Sequence, residues 1–410
     1  MCSFQSAETV FKERFVRRVY MIRTEIRKIL TWKKLLCLLG FGILYFLLFI
    51  RPYVNIHPGS YHQTADIAEA ITDKYGVSIS PEEYEKMKSE APEKGISAID
   101  RMIAENALFQ EYGFHTFQEF NLGSESLTPD EDTALWMEIY DSFSDAEVSE
   151  EFTRTIEINV YDMFLDSYRT EALQENGSAN GTSFYKDLDD LQRQRVLERN
   201  REEVFTLLPS VILEDNFQVL QFWSVFVIIG VIFMILPYMV QENQNEMPSL
   251  QYCCRKGRGY YLRKLAAGLI TSLAVIGISI VFYLITAKIN RVTDFWNASA
   301  SSFSSGYIGW FPWSIGTMSV MSILFTAMMA AGAGMILFAV TRHCRNYISA
   351  IALALPLVIL AGCYGAFFIL DFAEITRGKY MVPMISAVVL SLGVLANLVQ
   401  YMAEKKRNID

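Results

Sequence analysis

The charge along the chain changes sign between two long apolar runs. Residues 54–215 hold 12 Lys and Arg against 35 Asp and Glu, whereas the rest of the chain holds 24 and 10. The apolar runs 35–50 and 219–240 bracket this acidic block. Short segments rich in Lys and Arg stay in the cytoplasm, while long domains are translocated largely regardless of their charge. The pattern therefore predicts a membrane protein with one sizeable acidic domain outside the cell membrane.

Six apolar runs are each long enough to cross a hydrocarbon core about 30 Å thick as a helix. We predict spans at 34–54, 218–240, 265–286, 315–340, 347–370 and 381–402, with an extracellular loop at 287–314. The alternative is a large soluble core, but six such helices are hard to bury in water. The sequence thus predicts an all-α polytopic membrane protein.

Basic residues beside the spans predict the orientation. Residues 1–34 hold nine Lys and Arg against three Glu, and the connections after the second and fourth spans and the C-terminus are also basic. With six spans these four segments share one side, which the positive-inside rule places in the cytoplasm. Both termini are therefore expected to be cytoplasmic.

Residues 1–33 are predicted to form a cytoplasmic, basic amphipathic helix. Its apolar residues recur at steps of three and four, at Phe11, Phe15, Val19, Ile22, Ile26 and Ile29. Such a helix typically lies along the membrane surface. Packing of this helix on another protein surface is the alternative.

Residues 55–217 are predicted to form a mainly helical extracellular domain. Ser80, Thr128 and Ser144 are each followed three residues later by Glu, which is the pattern of a helix capping box. All six cysteines lie outside this block, so the domain holds no disulfide. That absence fits a bacterial plasma membrane protein better than an animal receptor. The acidic charge would attract cationic peptides, although solubility alone is the favoured reason for that charge.

Motifs for enzymatic chemistry are missing. The sequence has no phosphate-binding Gly-x-x-x-x-Gly-Lys-Ser/Thr loop, no His-Glu-x-x-His and only four histidines. The spans hold almost no ionisable residue at mid-membrane depth, which argues against an ion-driven carrier. We therefore expect no catalytic, cofactor-binding or metal site on this chain, and no nucleic-acid partner.

The segment 241–264, between the second and third spans, carries the most specific pattern. An acidic residue closes the second span, another follows, and a basic turn leads to a lysine at the start of the third span. The residues are Glu242, Glu246, Arg255, Lys256, Gly257, Arg258 and Lys264. With the six spans, the N-terminal helix and the insertion between the first two spans, this pattern resembles the permeases of ABC-2-type (type-2 ATP-binding-cassette) exporters. Met247-Pro248 stands where that family commonly has Gly-Thr.

The resemblance implies an export complex rather than a complete transporter. A separate cytoplasmic ATPase would hold ATP and Mg²⁺, and a second permease half, identical or paralogous, would complete the path through the lipid. Segment 241–264 would place a short coupling helix in a cleft of the ATPase. The exported substrate would be a peptide, a drug or a lipid.

Two alternatives stay open at this point. Segment 241–264 has the composition of a solvated basic loop as well. The whole chain also fits a membrane sensor or scaffold, whose extracellular domain binds a ligand and signals through a partner protein. A neighbouring gene for an ATPase would favour the exporter, and a neighbouring kinase or regulator alone would favour the sensor.

Overall fold

The structure is a computed structural model. It describes residues 20–55, 97–124, 127–142, 188–200, 205–206, 208–247, 260–302, 307–370 and 372–406, together with isolated residues between 65 and 82. Most of this part of the chain is helical. A single two-residue antiparallel pair joins β1, Ser78–Ile79, to β2, Phe205–Thr206.

Twelve helices can be numbered in chain order among these residues. They are α1 (20–29), α2 (Trp32–Tyr45), α3 (Ser97–Glu105), α4 (Ala107–Glu111), α5 (Phe117–Gly123), α6 (Pro129–Ser142), α7 (Asp190–Asn200), α8 (Ser210–Gln244), α9 (Tyr260–Ile289), α10 (Ile315–Thr341), α11 (Tyr347–Cys363) and α12 (Met381–Lys406). α2 continues into a π-helical turn, Phe46–Ile50, and a 3₁₀ turn, Arg51–Tyr53. α11 continues into a second π-helical turn, Tyr364–Ile369.

Six of these helices are long and apolar enough to cross a membrane: α2, α8, α9, α10, α11 and α12. The prediction of six spanning helices is thereby confirmed at the level of length and composition, and the chain is a multi-pass membrane protein. The helices extend beyond the apolar runs. α8 begins at Ser210 and ends at Gln244, and α9 begins at Tyr260. Hydropathy reports the lipid-embedded stretch alone, whereas backbone hydrogen bonding continues past it.

α8 and α10 form the centre of the bundle. In the most apolar stretch of each, 61% of the residues are buried, against 11% for α2. α10 packs closely on α12, because a Cβ added at Gly332 would lie 2.7 Å from the backbone nitrogen of Leu390. Gly393 on α12 faces the Gly332 carbonyl in the same contact. Small residues at such crossings let helix backbones approach within the membrane.

The two ends of the bundle carry different segments. At one end, here called the basic end, lie α1, the last turn of α8, the first turn of α9 and residues 342–346. At the other, the insertion end, lie residues 54–55, 188–200, 205–206, 290–302, 307–314 and 372–380. At the insertion end, hydrogen bonds join Asn55 to Asn290, Ala300 to Trp313 and Trp310 to Ala373.

The insertion between α2 and α8 has a small core of its own. Helices α3 to α6 enclose one apolar cluster formed by Ala98, Ile99, Ile103, Phe109, Phe117, Phe120, Leu135 and Ile139. Half of the predicted capping box at Thr128 is present, since the Glu131 carboxylate accepts hydrogen bonds from both the backbone N–H and the hydroxyl of Thr128. These bonds lower the pKa of the exposed Glu131 carboxyl. The other two capping boxes, at Ser80 and Ser144, lie outside the described residues.

α7 connects the insertion to the spanning helices. Its Gln192 side chain donates a hydrogen bond to the Ile375 carbonyl at 2.7 Å, and Arg195 Nε donates to the Gly309 carbonyl at 3.1 Å. Leu188, just before α7, and Val196 on it pack against Ile308, Trp310 and Ile375. α7 therefore touches both the connection before α10 and the connection between α11 and α12.

Candidate functional site

The predicted coupling residues fall into two groups. Glu242 lies in the last turn of α8, Lys264 lies in the first turn of α9, and Glu246 follows α8 with a positive φ of 51°. Arg255, Lys256, Gly257 and Arg258 lie outside the described residues, as does the short helix expected near them. The structure therefore shows both ends of the segment and not its middle.

Glu242 and Lys264 form a buried ion pair at the basic end. The Lys264 ammonium binds Glu242 Oε2, and the two side chains are only 2% and 6% exposed. Each charge has been taken out of water, which costs several kcal/mol per ion unless the partner compensates for it. The pair thus ties the end of α8 to the start of α9, and both ends of the intervening segment are fixed relative to each other.

Glu25 of α1 extends this pair into a network. Its carboxylate is fully buried and accepts hydrogen bonds from the hydroxyls of Tyr238 at 2.5 Å and Tyr260 at 2.9 Å. Lys28 donates to the same carboxylate at 2.8 Å and lies 3.6 Å from Glu242 Oε1. Burial alone would raise the pKa of Glu25, but these three hydrogen bonds and the Lys28 charge bring it below the ordinary value. The network of two carboxylates and two ammonium groups is electrically balanced.

The network is possible because α1 packs on protein rather than only on lipid. Ile29 is buried in the main core of the bundle, and Ile22 and Ile26 pack against it. These three residues belong to the apolar stripe read from the sequence, and Glu25 lies within that stripe. In the described residues this part of the stripe packs on the spanning helices of the same chain, an arrangement that neither the membrane-surface prediction nor its alternative of another protein surface described.

A second buried network lies beside the first. Arg342 Nε, at the end of α10, donates to Glu404 of α12 at 2.8 Å. The Asn243 amide, next to Glu242, donates to the carbonyls of Arg342 at 2.9 Å and Cys344 at 2.8 Å. Carbonyls at a helix C-terminus lack partners within the helix, so Asn243 supplies one from α8. α8, α10 and α12 are thereby joined at the same end of the bundle.

The span interiors hold neutral polar groups in place of charges. Asn216 donates to the Ser319 hydroxyl at 3.1 Å and accepts from the Tyr283 hydroxyl at 2.8 Å. Asn397 accepts from the Tyr261 hydroxyl at 2.7 Å and donates to the Met335 carbonyl at 2.8 Å. Within the described parts of the six spans, acidic and basic residues lie near the helix ends. These groups join helices without offering a relay of charges.

Sequence reasoning identified Glu242 and Lys264 but missed Glu25, Arg342 and Glu404. One signal for Glu25 was available, because a lone carboxylate in the apolar stripe of an amphipathic helix requires a partner when that face is buried. No comparable local signal marks the pairing of Arg342 with Glu404. Among the described residues no group of three or more His, Cys, Asp or Glu is arranged to hold a metal ion.

No family model, curated protein or solved structure matches this chain. Its relationship to other proteins is therefore not established by similarity, and the function has to be inferred from its own residues.

Proposed function

We propose that this chain is the permease subunit of an ATP-binding-cassette exporter, driven by a separate ATPase in the cytoplasm of a bacterium. The observation that carries the proposal is the buried Glu242–Lys264 pair. It holds the two ends of segment 245–263 against each other, directly beside the Glu25 network and the Arg342–Glu404 pair. A push on that segment would therefore move α1, α8 and α9 together.

The proposed mechanism uses this connection to transmit force. The basic end faces the cytoplasm, where ATP binding closes a dimer of ATPase subunits. Those subunits hold ATP and Mg²⁺, while this chain contributes no catalytic group. The segment with Glu246 and the basic residues 255–258 lies in a cleft of the ATPase. Because the segment is fixed at both ends, displacement there tilts α8 and α9 rather than only bending a loop.

The path for the substrate forms between two permease halves, which are either identical chains or paralogues. The lack of charged groups inside the described spans suits export of a peptide, drug or lipid better than conduction of ions. The acidic insertion would lie outside the cell, where its charge favours a cationic substrate or partner.

The proposal is tested by isolating the chain with its partners. Purified gently from its own host, it should copurify with a protein that carries a phosphate-binding loop. Purified to homogeneity, it should hydrolyse no ATP above background. Robust ATP turnover by the homogeneous chain, or repeated isolation without any ATPase, would refute the exporter assignment.

A variant of Glu246 tests the coupling segment without breaking the buried pair. Replacing Glu246 by Ala should weaken copurification of the ATPase or separate ATP hydrolysis from transport, because a charge at such an interface sets the register of the partner. Glu105, exposed on α3 of the insertion, provides the matched control, and Glu105→Ala should leave both properties unchanged. Equal behaviour of the two variants would leave the segment as a solvated loop.

The sensor is the second candidate, and the position of α7 favours it. α7 contacts the Gly309 and Ile375 carbonyls, which belong to connections leading into α10 and α12. A ligand bound by the insertion would thus have a mechanical route into the spans. Copurification with a kinase or regulator, and with no ATPase, would support this function in place of export.

A further inference from the structure

A pair of cations without a carboxylate partner among the described residues lies at the insertion end of the bundle. Arg377 and Lys379 occupy the connection that leads into α12, and both are half-buried. No ion pair joins either side chain to a carboxylate of the described residues. The nearby Glu374 carboxylate instead accepts a hydrogen bond from the Thr376 hydroxyl at 2.8 Å.

Other cations at the same end behave differently. Lys288 binds Asp294 at 2.8 Å, and Arg291 binds both Asp294 and Glu69. These charges are compensated within the chain. Arg377 and Lys379 differ from these neighbours, because no carboxylate of the described residues pairs with either of them.

Lys379 lies on an aromatic shelf formed by Trp310, Phe311 and Tyr380. Its ammonium is 5.7, 5.4 and 5.7 Å from the three ring centroids, which is within cation–π range. The Trp310 indole N–H donates to the Arg377 carbonyl at 2.7 Å and so fixes the backbone between the two cations. The Lys379 ammonium and the backbone at Arg377 are thereby held at defined positions.

The position of this cation pair matches the boundary between hydrocarbon and headgroups. α12 begins at Met381, immediately after the shelf, and Trp and Tyr rings concentrate at that boundary in membrane proteins. Below it, Met384 and Val388 of α12 continue from Tyr380 as an exposed apolar stripe, and each of the three side chains is more than half exposed. The stripe offers a surface for an acyl chain directly beneath two positive charges.

We propose that Arg377 and Lys379, above the aromatic shelf, form a binding site for the headgroup of an anionic glycerophospholipid. The planar guanidinium and the point charge of the ammonium both suit a phosphate oxygen. A phosphatidylglycerol headgroup brings uncompensated negative charge to the pair, whereas the choline of phosphatidylcholine brings a cation of its own. The inference does not depend on which side of the membrane this end faces, nor on the proposed transport function.

The test measures lipid preference of the full-length chain by native mass spectrometry. The purified protein would be exposed to equal amounts of phosphatidylglycerol and phosphatidylcholine, and the retained lipids counted. The wild-type chain should retain phosphatidylglycerol preferentially, and salt should weaken that preference. Each basic residue near a membrane surface changes anionic lipid binding by about fivefold. In the double variant R377Q/K379Q, the ratio of retained phosphatidylglycerol to phosphatidylcholine should therefore fall by about 25-fold.

Two further variants control for charge and for folding. Lys288→Gln removes a cation at the same end that is already paired with Asp294, and it should leave the preference unchanged. R377K/K379R keeps both charges and should retain most of the preference, even if R377Q/K379Q proves too unstable to purify. Loss of preference in K288Q as large as in R377Q/K379Q would overturn the assignment.

The soluble headgroup distinguishes a lipid site from a simple phosphate site. Glycerophosphoglycerol at millimolar concentration should not displace the retained lipid, because it lacks the acyl chains that lie on the α12 stripe. Displacement by that compound or by inorganic phosphate would overturn the lipid site in favour of a soluble anion. Equal retention of the two lipids by the wild-type chain would overturn it outright.

Discussion

Replacing Lys264 by Met should destabilise the protein by about 3–5 kcal/mol, the usual cost of removing one member of a buried ion pair. The Glu242 carboxylate would stay buried, and the nearest remaining cation that the network offers is Lys28, 3.6 Å away and 40% exposed. That distance is too long for a hydrogen bond, so Lys28 compensates only weakly. The control is Lys288→Met. Lys288 is 68% exposed in its pair with Asp294, and pairs of that kind contribute about 1 kcal/mol or less.

The assay is reversible unfolding of the purified chain in mixed micelles, with the double variant Glu242→Gln/Lys264→Met completing a thermodynamic cycle. The double variant should lose less stability than the sum of the two single variants, with a coupling of about 1–3 kcal/mol, because no charge is left unpaired. If Lys264→Met costs no more than Lys288→Met, or if the single effects simply add, the two side chains do not form the connection on which the coupling proposal rests.

Three further predictions address other parts of the molecule. Glu25→Gln should lower stability near neutral pH; the folded pKa of Glu25 lies below its unfolded value, so its contribution is present above the unfolded pKa and is lost as pH falls through the folded pKa. The free energies of unfolding of the wild type and the variant, measured against pH, should therefore converge in acid. A difference between them that stays constant with pH would contradict this role. Gly332→Ala should cost about 1–3 kcal/mol because its Cβ meets the backbone of α12, whereas Gly277→Ala, with no atom within 4 Å of the added Cβ, should be neutral or stabilising; equal effects would refute the close packing. Thr128→Ala should speed amide exchange at the start of α6 in the full chain, because the bond from the Thr128 hydroxyl to Glu131 is lost while the backbone N–H bond remains, and unchanged exchange would show that the hydroxyl is unimportant to the cap.

Much of the fold could be predicted from local sequence. The length of each apolar run fixed the number of spanning helices, because a helix must carry about 20 apolar residues to cross the hydrocarbon core. The Thr128–Glu131 cap was also predictable from local sequence, because its partners are three residues apart and the helix geometry brings them together. The helix ends were less predictable, because α8 and α9 continue past the lipid into polar sequence.

The candidate site was predictable only in part. Glu242 and Lys264 were identified from their places at the ends of two neighbouring spans, 22 residues apart. No pattern in the sequence predicts that Tyr238, 213 residues away, is the residue that binds Glu25. The same holds for Arg342 and Glu404, and for the contact of α7 with the connections at the insertion end.

The sequence by itself thus determined which segments enter the membrane, because that choice depends on the composition and length of each segment alone. The tertiary structure decided which buried charges meet. Periodicity defines the faces of a helix, but it does not say which face of which other helix lies opposite. Once the helices pack, a carboxylate such as Glu25 needs hydrogen-bond donors from α8 and α9. The free energy lost by burying an unpaired charge exceeds the free energy gained by packing one side chain.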